Sequence, residues 1–294
     1  FFNRALRGRY PPASSIKPAI AMYGIEEGLI DWNFSIFDEG FFTLPEDGRI
    51  YRDWKEGGHG DTNLFKAITQ SSNTYFFDLA YRSDINQLNK HLSSLGFGDK
   101  ACIDCFEEDQ VFVPEPSWKI NKHNFGWFKG DTVNMGVGQG YLVSTPIQLA
   151  KYAYIMANKG KFSDLSLKKD LVKSEKSIEF NKFSNDDWFK LHESMVNVIE
   201  GNTGTARRLR EKKNYIVAAK TGTAELVSGD NREQYSETRL DDSLRDHALI
   251  IAFGPMPNPR YAVSVVVENG ESGGSVAGPV AISVLNSLIQ EWDI

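Results

Sequence analysis

Apolar residues recur at near-helical spacing at Ile16, Ile20, Met22, Ile25, Leu29 and Ile30, which predicts a helix over 14–30 that Gly28 brings to an end. The same reading predicts helices over 63–71, opened by Asp61 or Thr62, over 75–82, and over 85–95, stopping at Gly96 and Gly98. Behind the cap Ser144-Thr145, Pro146 opens a helix that runs to Asn158, and a further one spans 186–199. After residue 200 the pattern changes. Short β-branched apolar runs at 215–219, 248–253 and 262–267 read as three strands, and a helix from Val280 to Trp292 follows them. This order predicts an α+β fold: an antiparallel sheet flanked by helices plus an all-α lobe, with the α lobe about 14–200 and the sheet lobe about 201–294.

Several segments carry no period. Residues 31–62 are aromatic, glycine-rich and irregular, so they must be held by side chains or lie beside a site. Residues 99–130 are loop-like, 159–185 read as a surface linker, 225–246 as a long charged loop and 270–279 as a glycine-rich turn. Val133 to Gly140 is another glycine-rich turn; it lacks the Gly-Lys-Ser/Thr ending and the strand–helix setting of a phosphate loop.

With 294 residues, 41% hydrophobic, the chain can bury the core of one large domain or two lobes, and a net charge of −6 argues against nucleic acid as a partner. No run of 18 apolar residues and no signal-peptide pattern is present, and the chain starts at Phe1, as an internal fragment does. The five histidines are scattered without zinc-site spacing. Cys102 and Cys105 read either as a redox or metal half-site, for which no second ligand pair is near, or as two half-buried positions of a short strand. In an oxidising compartment they close a strained disulfide.

The chemistry begins at Ser14 and Lys17, a hydroxyl and an amine three residues apart where a helix starts. Serine becomes a nucleophile once a base takes its proton, and lysine serves as that base when burial or nearby positive charge lowers its pKa. The plainer account is a helix cap beside a solvated lysine, and Ser-x-x-Lys is expected roughly once by chance in such a chain. Indeed Ser166 and Lys169 form a second copy in a polar stretch with no other catalytic signal. Ser71 and Asn73, placed after a helix, can project a hydroxyl and an amide into a cleft. Lys220-Thr221-Gly222-Thr223 ends a strand; its glycine allows close approach of a ligand backbone, and its ammonium and hydroxyls suit a carboxylate.

Taken in order, Ser14-x-x-Lys17, Ser71-x-Asn73 and Lys220-Thr-Gly are the motif set of penicillin-binding proteins and serine β-lactamases. The chain resembles the transpeptidase domain of elongation-type class B penicillin-binding proteins. The likeness runs end to end: Asn3-Arg-Ala-Leu-Arg-Gly-Arg-Tyr-Pro-Pro, Tyr51-Arg-Asp-Trp-Lys, Gly136-Val-Gly-Gln-Gly-Tyr-Leu-Val-Ser-Thr-Pro-Ile-Gln, Gly204-Thr-Ala, Lys220-Thr-Gly-Thr-Ala and Asp246-His-Ala-Leu-Ile-Ile-Ala-Phe-Gly-Pro.

The resemblance implies a peptidoglycan D,D-transpeptidase that needs no cofactor, crosslinks stem peptides ending in D-Ala-D-Ala and is acylated by β-lactams. In it Ser14 is the nucleophile and Lys17 its base, Ser71 relays a proton and Lys220 tunes the network. Asn73 holds a substrate amide, Thr221 and Thr223 bind the terminal carboxylate beside Gly222, and the N–H groups of Ser14 and Thr223 form the oxyanion hole. It also implies elongation-complex membrane proteins as partners, a glycosyltransferase among them, and a place at the periplasmic face of the inner membrane. In the family an anchoring helix, a pedestal domain and the first sheet strands precede the nucleophile; the expectation is that this sequence either is trimmed of them or takes those strands from another chain.

Relatives of this subgroup build a zinc site from two aspartates, a histidine and a cysteine. Asp38, Asp53 and His59 match the first three, but Ser72 stands where the cysteine is expected, and a neutral hydroxyl is a far poorer ligand than a thiolate. The expectation is no tight metal, with Asp53 and His59 stapling a loop. Two alternatives share the motifs. A serine β-lactamase must also hydrolyse the acyl-enzyme through a glutamate-held water, for which Glu107 and Glu108 are the residues to inspect; a β-lactam sensor or scaffold uses the cleft only to bind.

Overall fold

The computed structural model describes residues 2–168, 171, 175–226 and 242–292. A short helix α1 (Arg4–Arg7) precedes Pro11-Pro12; Ala13–Ile16 then make a single 3-10 turn that passes directly into α2 (Lys17–Glu26). The expected single helix is thus in two parts and ends at Glu26, ahead of Gly28, and Ala13 at its head sits at φ +49°, outside the helical region. Every residue of α2 from Lys17 to Ile25 is buried, so it carries no amphipathic stripe. It packs against α3 (Leu64–Gln70), α4 (Asn73–Arg82) and α5 (Ile85–Ser94).

Residues 31–62 are less irregular than their sequence suggests. They hold β1 (Ser35–Asp38), β2 (Phe41–Thr43), β3 (Ile50–Arg52) and β4 (Gly60–Asn63), paired antiparallel as β1 with β4 and β2 with β3. Strands of three or four residues are too short to show a period, so pairing alone defines them. The helical part therefore carries two small strand pairs as well. The expected loop at 99–130 contains α6 (Pro116–His123), and α7 (Lys129–Gly136) takes up the first half of the expected glycine turn. α8 (Pro146–Ala157) begins with a capping box in which Thr145 and Gln148 bond reciprocally. β5 (Lys161–Phe162) and β6 (Lys176–Ser177) form a small pair in the expected linker, and Ser184 caps α9 (Asn185–Glu200).

The main sheet is β7 (Ala218–Ala224), β8 (His247–Gly254) and β9 (Tyr261–Val267), antiparallel in that order, followed by α10 (Gly278–Trp292). Both faces of β8 are covered, which is why it reads as one apolar run. Leu249, Ile251 and Phe253 join the core formed with α2, α3, α4, α8 and α9, whereas Ala248, Ile250 and Ala252 join a second core with Ala281, Ile282 and Leu285 of α10. The first strand was expected at 215–219 and instead runs through Lys220-Thr-Gly-Thr. Register with β8 (Lys220 opposite Ile251, Thr223 opposite Ala248) draws these polar residues into the sheet.

Cys102 and Cys105 are joined as a disulfide, with Cα atoms 5.3 Å apart, within the bridging range. Both are buried in a loop, not half-buried on a strand. In the second Ser-x-x-Lys, Ser166 donates to Asp104 at 2.9 Å and Lys169 lies outside the described residues, as do 227–241 of the charged loop.

Candidate active site

The half-buried Ser14 sits in the 3-10 turn, clamped from two sides. On one side Ala13 N donates to Gly138 O at 2.8 Å, and Gly138 lies at φ +72°. A Cβ there would meet Ala13 O at 2.2 Å, so only glycine fits. On the other, β7 passes so close that a Cβ on Gly222 would lie 3.2 Å from Pro12 O and 3.3 Å from Ser15 N. The close approach expected at Gly222 is thus made by the protein's own backbone.

Two fully buried amines lie behind this turn. Lys17 Nζ donates to Asn73 Oδ1 (2.7 Å), Ser71 O (2.8 Å) and Ser72 O (3.0 Å). Burial pushes its pKa down to about 7, against the opposing pull of Asp53 and Asp38. Lys220 Nζ donates to Ser71 Oγ at 2.8 Å; burial and then the charge of Lys17 hold its pKa well below the usual lysine range. Lys17 Nζ also reaches Ser71 Oγ at 3.4 Å, so that hydroxyl is flanked by both amines. Ser14 Oγ makes no hydrogen bond to a described residue, and Lys17 is turned towards Ser71–Asn73. The motif residues Ser14, Lys17, Ser71, Asn73 and Lys220 are thus brought together from three distant parts of the chain.

Ser71 ends α3 at φ +61°, a conformation costing a non-glycine residue roughly 1–2 kcal/mol. Its carbonyl is held by Lys17 and by the indole N–H of Trp54 at 3.1 Å. Asp53 fixes the start of α4: its Oδ2 accepts from Asn73 N (2.5 Å) and Thr74 N (3.0 Å). Burial raises the pKa of this carboxyl, but the His59 hydrogen bond and the Lys17 charge outweigh it and bring it to about 2.

The donor atoms of Asp38, Asp53 and His59 lie within 4.8 Å of one another in buried positions. The fourth side chain, Ser72, donates to Asp38 Oδ2 at 2.7 Å and accepts from Tyr75 N at 3.1 Å, while the His59 ring lies between Asp53 Oδ1 (3.2 Å) and Gln70 Oε1 (3.0 Å). A hydroxyl engaged on both counts does not replace the thiolate of a closed tetrahedral zinc site. The set fits a hydrogen-bonded staple between the small strands and α4, not tight zinc.

Ser14, Ser71, Asn73, Thr221 and Thr223 line a cleft of about 1610 Å³. Thr205 Oγ1 and Thr221 Oγ1 are 2.7 Å apart, and Gln139 Nε2 donates to Thr223 O at 3.2 Å. Glu107 and Glu108 are not in that lining; Glu108 is buried, its carboxylate accepting from Ala101 N (2.6 Å) and Cys102 N (2.9 Å). Trp54, Thr205 and Gln139 were not singled out from sequence as site residues. They stand in loops or turns, where neither period nor spacing marks them.

Residues 1–286 match the model of the penicillin binding protein transpeptidase domain. The chain is 37% identical, over 99% of its length and 46% of the relative's, to the peptidoglycan D,D-transpeptidase MrdA of Haemophilus influenzae, and 39% identical to that of Acinetobacter baumannii, over 94% and 42%. It thus spans under half the length of these curated relatives. A crystal structure of Pseudomonas aeruginosa PBP2 in complex with WCK 5153 superposes with a TM-score of 0.88 at 36% identity, covering 98% of this chain and 63% of that one. Helicobacter pylori PBP2 in complex with MreC gives 0.86 at 30%, covering 100% and 52%.

Proposed function

Because the chain belongs to the penicillin-binding protein transpeptidase family, we propose that its cleft carries out serine acyl transfer on peptidoglycan stem peptides. The observation that carries this reading is the buried pair of low-pKa amines around Ser71, beside a serine whose Oγ opens onto the cleft.

Ser14 Oγ attacks the carbonyl of the penultimate D-Ala, its proton passing to neutral Lys17, and the N–H groups of Ser14 and Thr223 hold the oxyanion. Collapse breaks the D-Ala–D-Ala amide, and the leaving amine takes a proton through Ser71 Oγ, which Lys220 orients. Asn73 keeps its Oδ1 on Lys17 and offers its NH₂ to the peptide, while Thr221 and Thr223 take the terminal carboxylate. The amine of a second stem peptide then attacks the ester, forming the crosslink and freeing Ser14. The relatives' names place them in peptidoglycan crosslinking, and a Helicobacter pylori PBP2 is seen in complex with MreC; the reading extends to a whole protein that acts in cell-wall synthesis at the periplasmic face of the inner membrane with elongation-complex partners.

Intact mass after incubation with a penicillin tests the reading. One adduct per chain, on Ser14, stable for hours and lost in Ser14→Ala, is expected. Rapid loss of the adduct would indicate a lactamase, for which the engaged Glu108 supplies no base. No adduct would leave only a binding scaffold.

A further inference from the structure

The rim of the same cleft is basic although the chain is net acidic. Among the described residues its lining includes Arg52 on β3, Arg49 just before it, and Arg207 and Arg208 beyond the proposed carboxylate strand, against two acids, Asp53 and Glu225. One of those, Asp53, is buried and engaged by backbone N–H groups. The second pair is the more informative. Arg207 and Arg208 begin a 3-10 turn (Arg207–Lys212) whose neighbouring cation, Arg210, pairs with Glu200, and neither member of that pair is in the cleft lining. Among the described residues Arg207 and Arg208 form no ion pair, and both are exposed.

The segment bearing them is held in place. Ala206 N donates to Val198 O at 2.9 Å, a Cβ on Gly204 would meet Val198 O at 2.3 Å, and Leu209 is buried in the second core. Thr205 is hydrogen-bonded at 2.7 Å to Thr221, one of the hydroxyls proposed for the terminal carboxylate. Two arginines on a backbone held in this way line the open cleft next to that point, and a guanidinium is a planar fork of donors suited to a carboxylate.

We infer that Arg207 and Arg208 recognise a second carboxylate of the stem peptide, one carried in addition to its C-terminal carboxylate, and so favour peptides whose side-chain carboxylates are free over amidated ones. This rests on the proposed function and adds the substrate's charge pattern to it.

The test measures binding, not turnover. Ser14→Ala protein is titrated by NMR with two synthetic pentapeptides ending in D-Ala-D-Ala, identical except that side-chain carboxylates are free or amidated. The free form should bind about tenfold tighter at low salt. Adding Arg207→Gln and Arg208→Gln, singly and together, should remove the preference and leave the amidated peptide unchanged. Equal weakening of both peptides would mean that the pair acts on the shared C-terminus or on the fold, and no change would make it a solvated rim; either result overturns the inference. Penicillin labelling of a protein with Ser14 intact is scored separately: its absence alongside an intact preference would sink the acyl-transfer reading and leave this one standing.

Discussion

Lys17, the proposed base, is partly neutral near pH 7 only because burial outweighs the attraction of two carboxylates. With its pKa at about 7, the neutral amine gains population as pH rises, so penicillin acylation should accelerate through about pH 7 and level off above it. Stopped-flow acylation across that range checks this; a flat profile would remove Lys17 as the base. The stability sign follows from the same shift. Between about 7 and 10.5 the unfolded chain binds the extra proton, so this group's contribution makes the fold more stable with rising pH in that window. At Ser72 the chemistry is set by one atom. Ser72→Cys should convert the staple into a zinc site, retaining about one metal per chain after dialysis where the parent retains much less. Comparable zinc in both proteins, measured by plasma mass spectrometry, would refute the structural reading of Asp38, Asp53 and His59.

Elements meet at the Ser14 turn through missing side chains. The 137–140 turn and β7 approach the Ser14 turn at Gly138 and Gly222, and neither contact tolerates a Cβ without movement. Gly138→Ala should lower stability by at least about 1–2 kcal/mol from the left-handed backbone alone, and slow acylation as Ala13 is displaced. Gly126→Ala is the matched control, since a Cβ there meets nothing within 4 Å and should leave both unfolding and acylation unchanged. Similar behaviour of the two variants in denaturant titration would show that the clamp does not position Ser14. The small strand pairs have a comparable role, bringing Asp53 and Trp54 to the end of α3 and the start of α4.

At the scale of the molecule, the sheet separates two cores, and the cleft lies where the helical part, the glycine turn and β7 converge. The disulfide is outside that convergence and closes only a very short loop, which limits its effect on the unfolded chain to about 2 kcal/mol. A Cys102→Ser, Cys105→Ser variant should therefore lose no more than that in urea unfolding and keep the parent's acylation rate; a slowed rate would tie the 99–113 loop to the cleft.

Much of this was legible in the amino-acid order. Long segments such as α8, α9 and β8 bury one or both faces over enough residues to leave a period, and Ser14, Lys17, Ser71, Asn73 and Lys220 are marked by spacing and by family likeness. Strands of three or four residues leave no such trace, so β1 to β4 emerged only with their pairing. Lys220-Thr-Gly-Thr reads as the end of a strand, yet lies within one because β8 supplies its hydrogen-bond partners. The direction of the Lys17 amine, the grip of Trp54 on Ser71 and the exposure of Arg207 beside a paired Arg210 were decided by tertiary structure alone. Sequence determines which groups are present and which face a core, whereas hydrogen bonds between residues distant in sequence depend on distances that exist only once the chain has closed on itself.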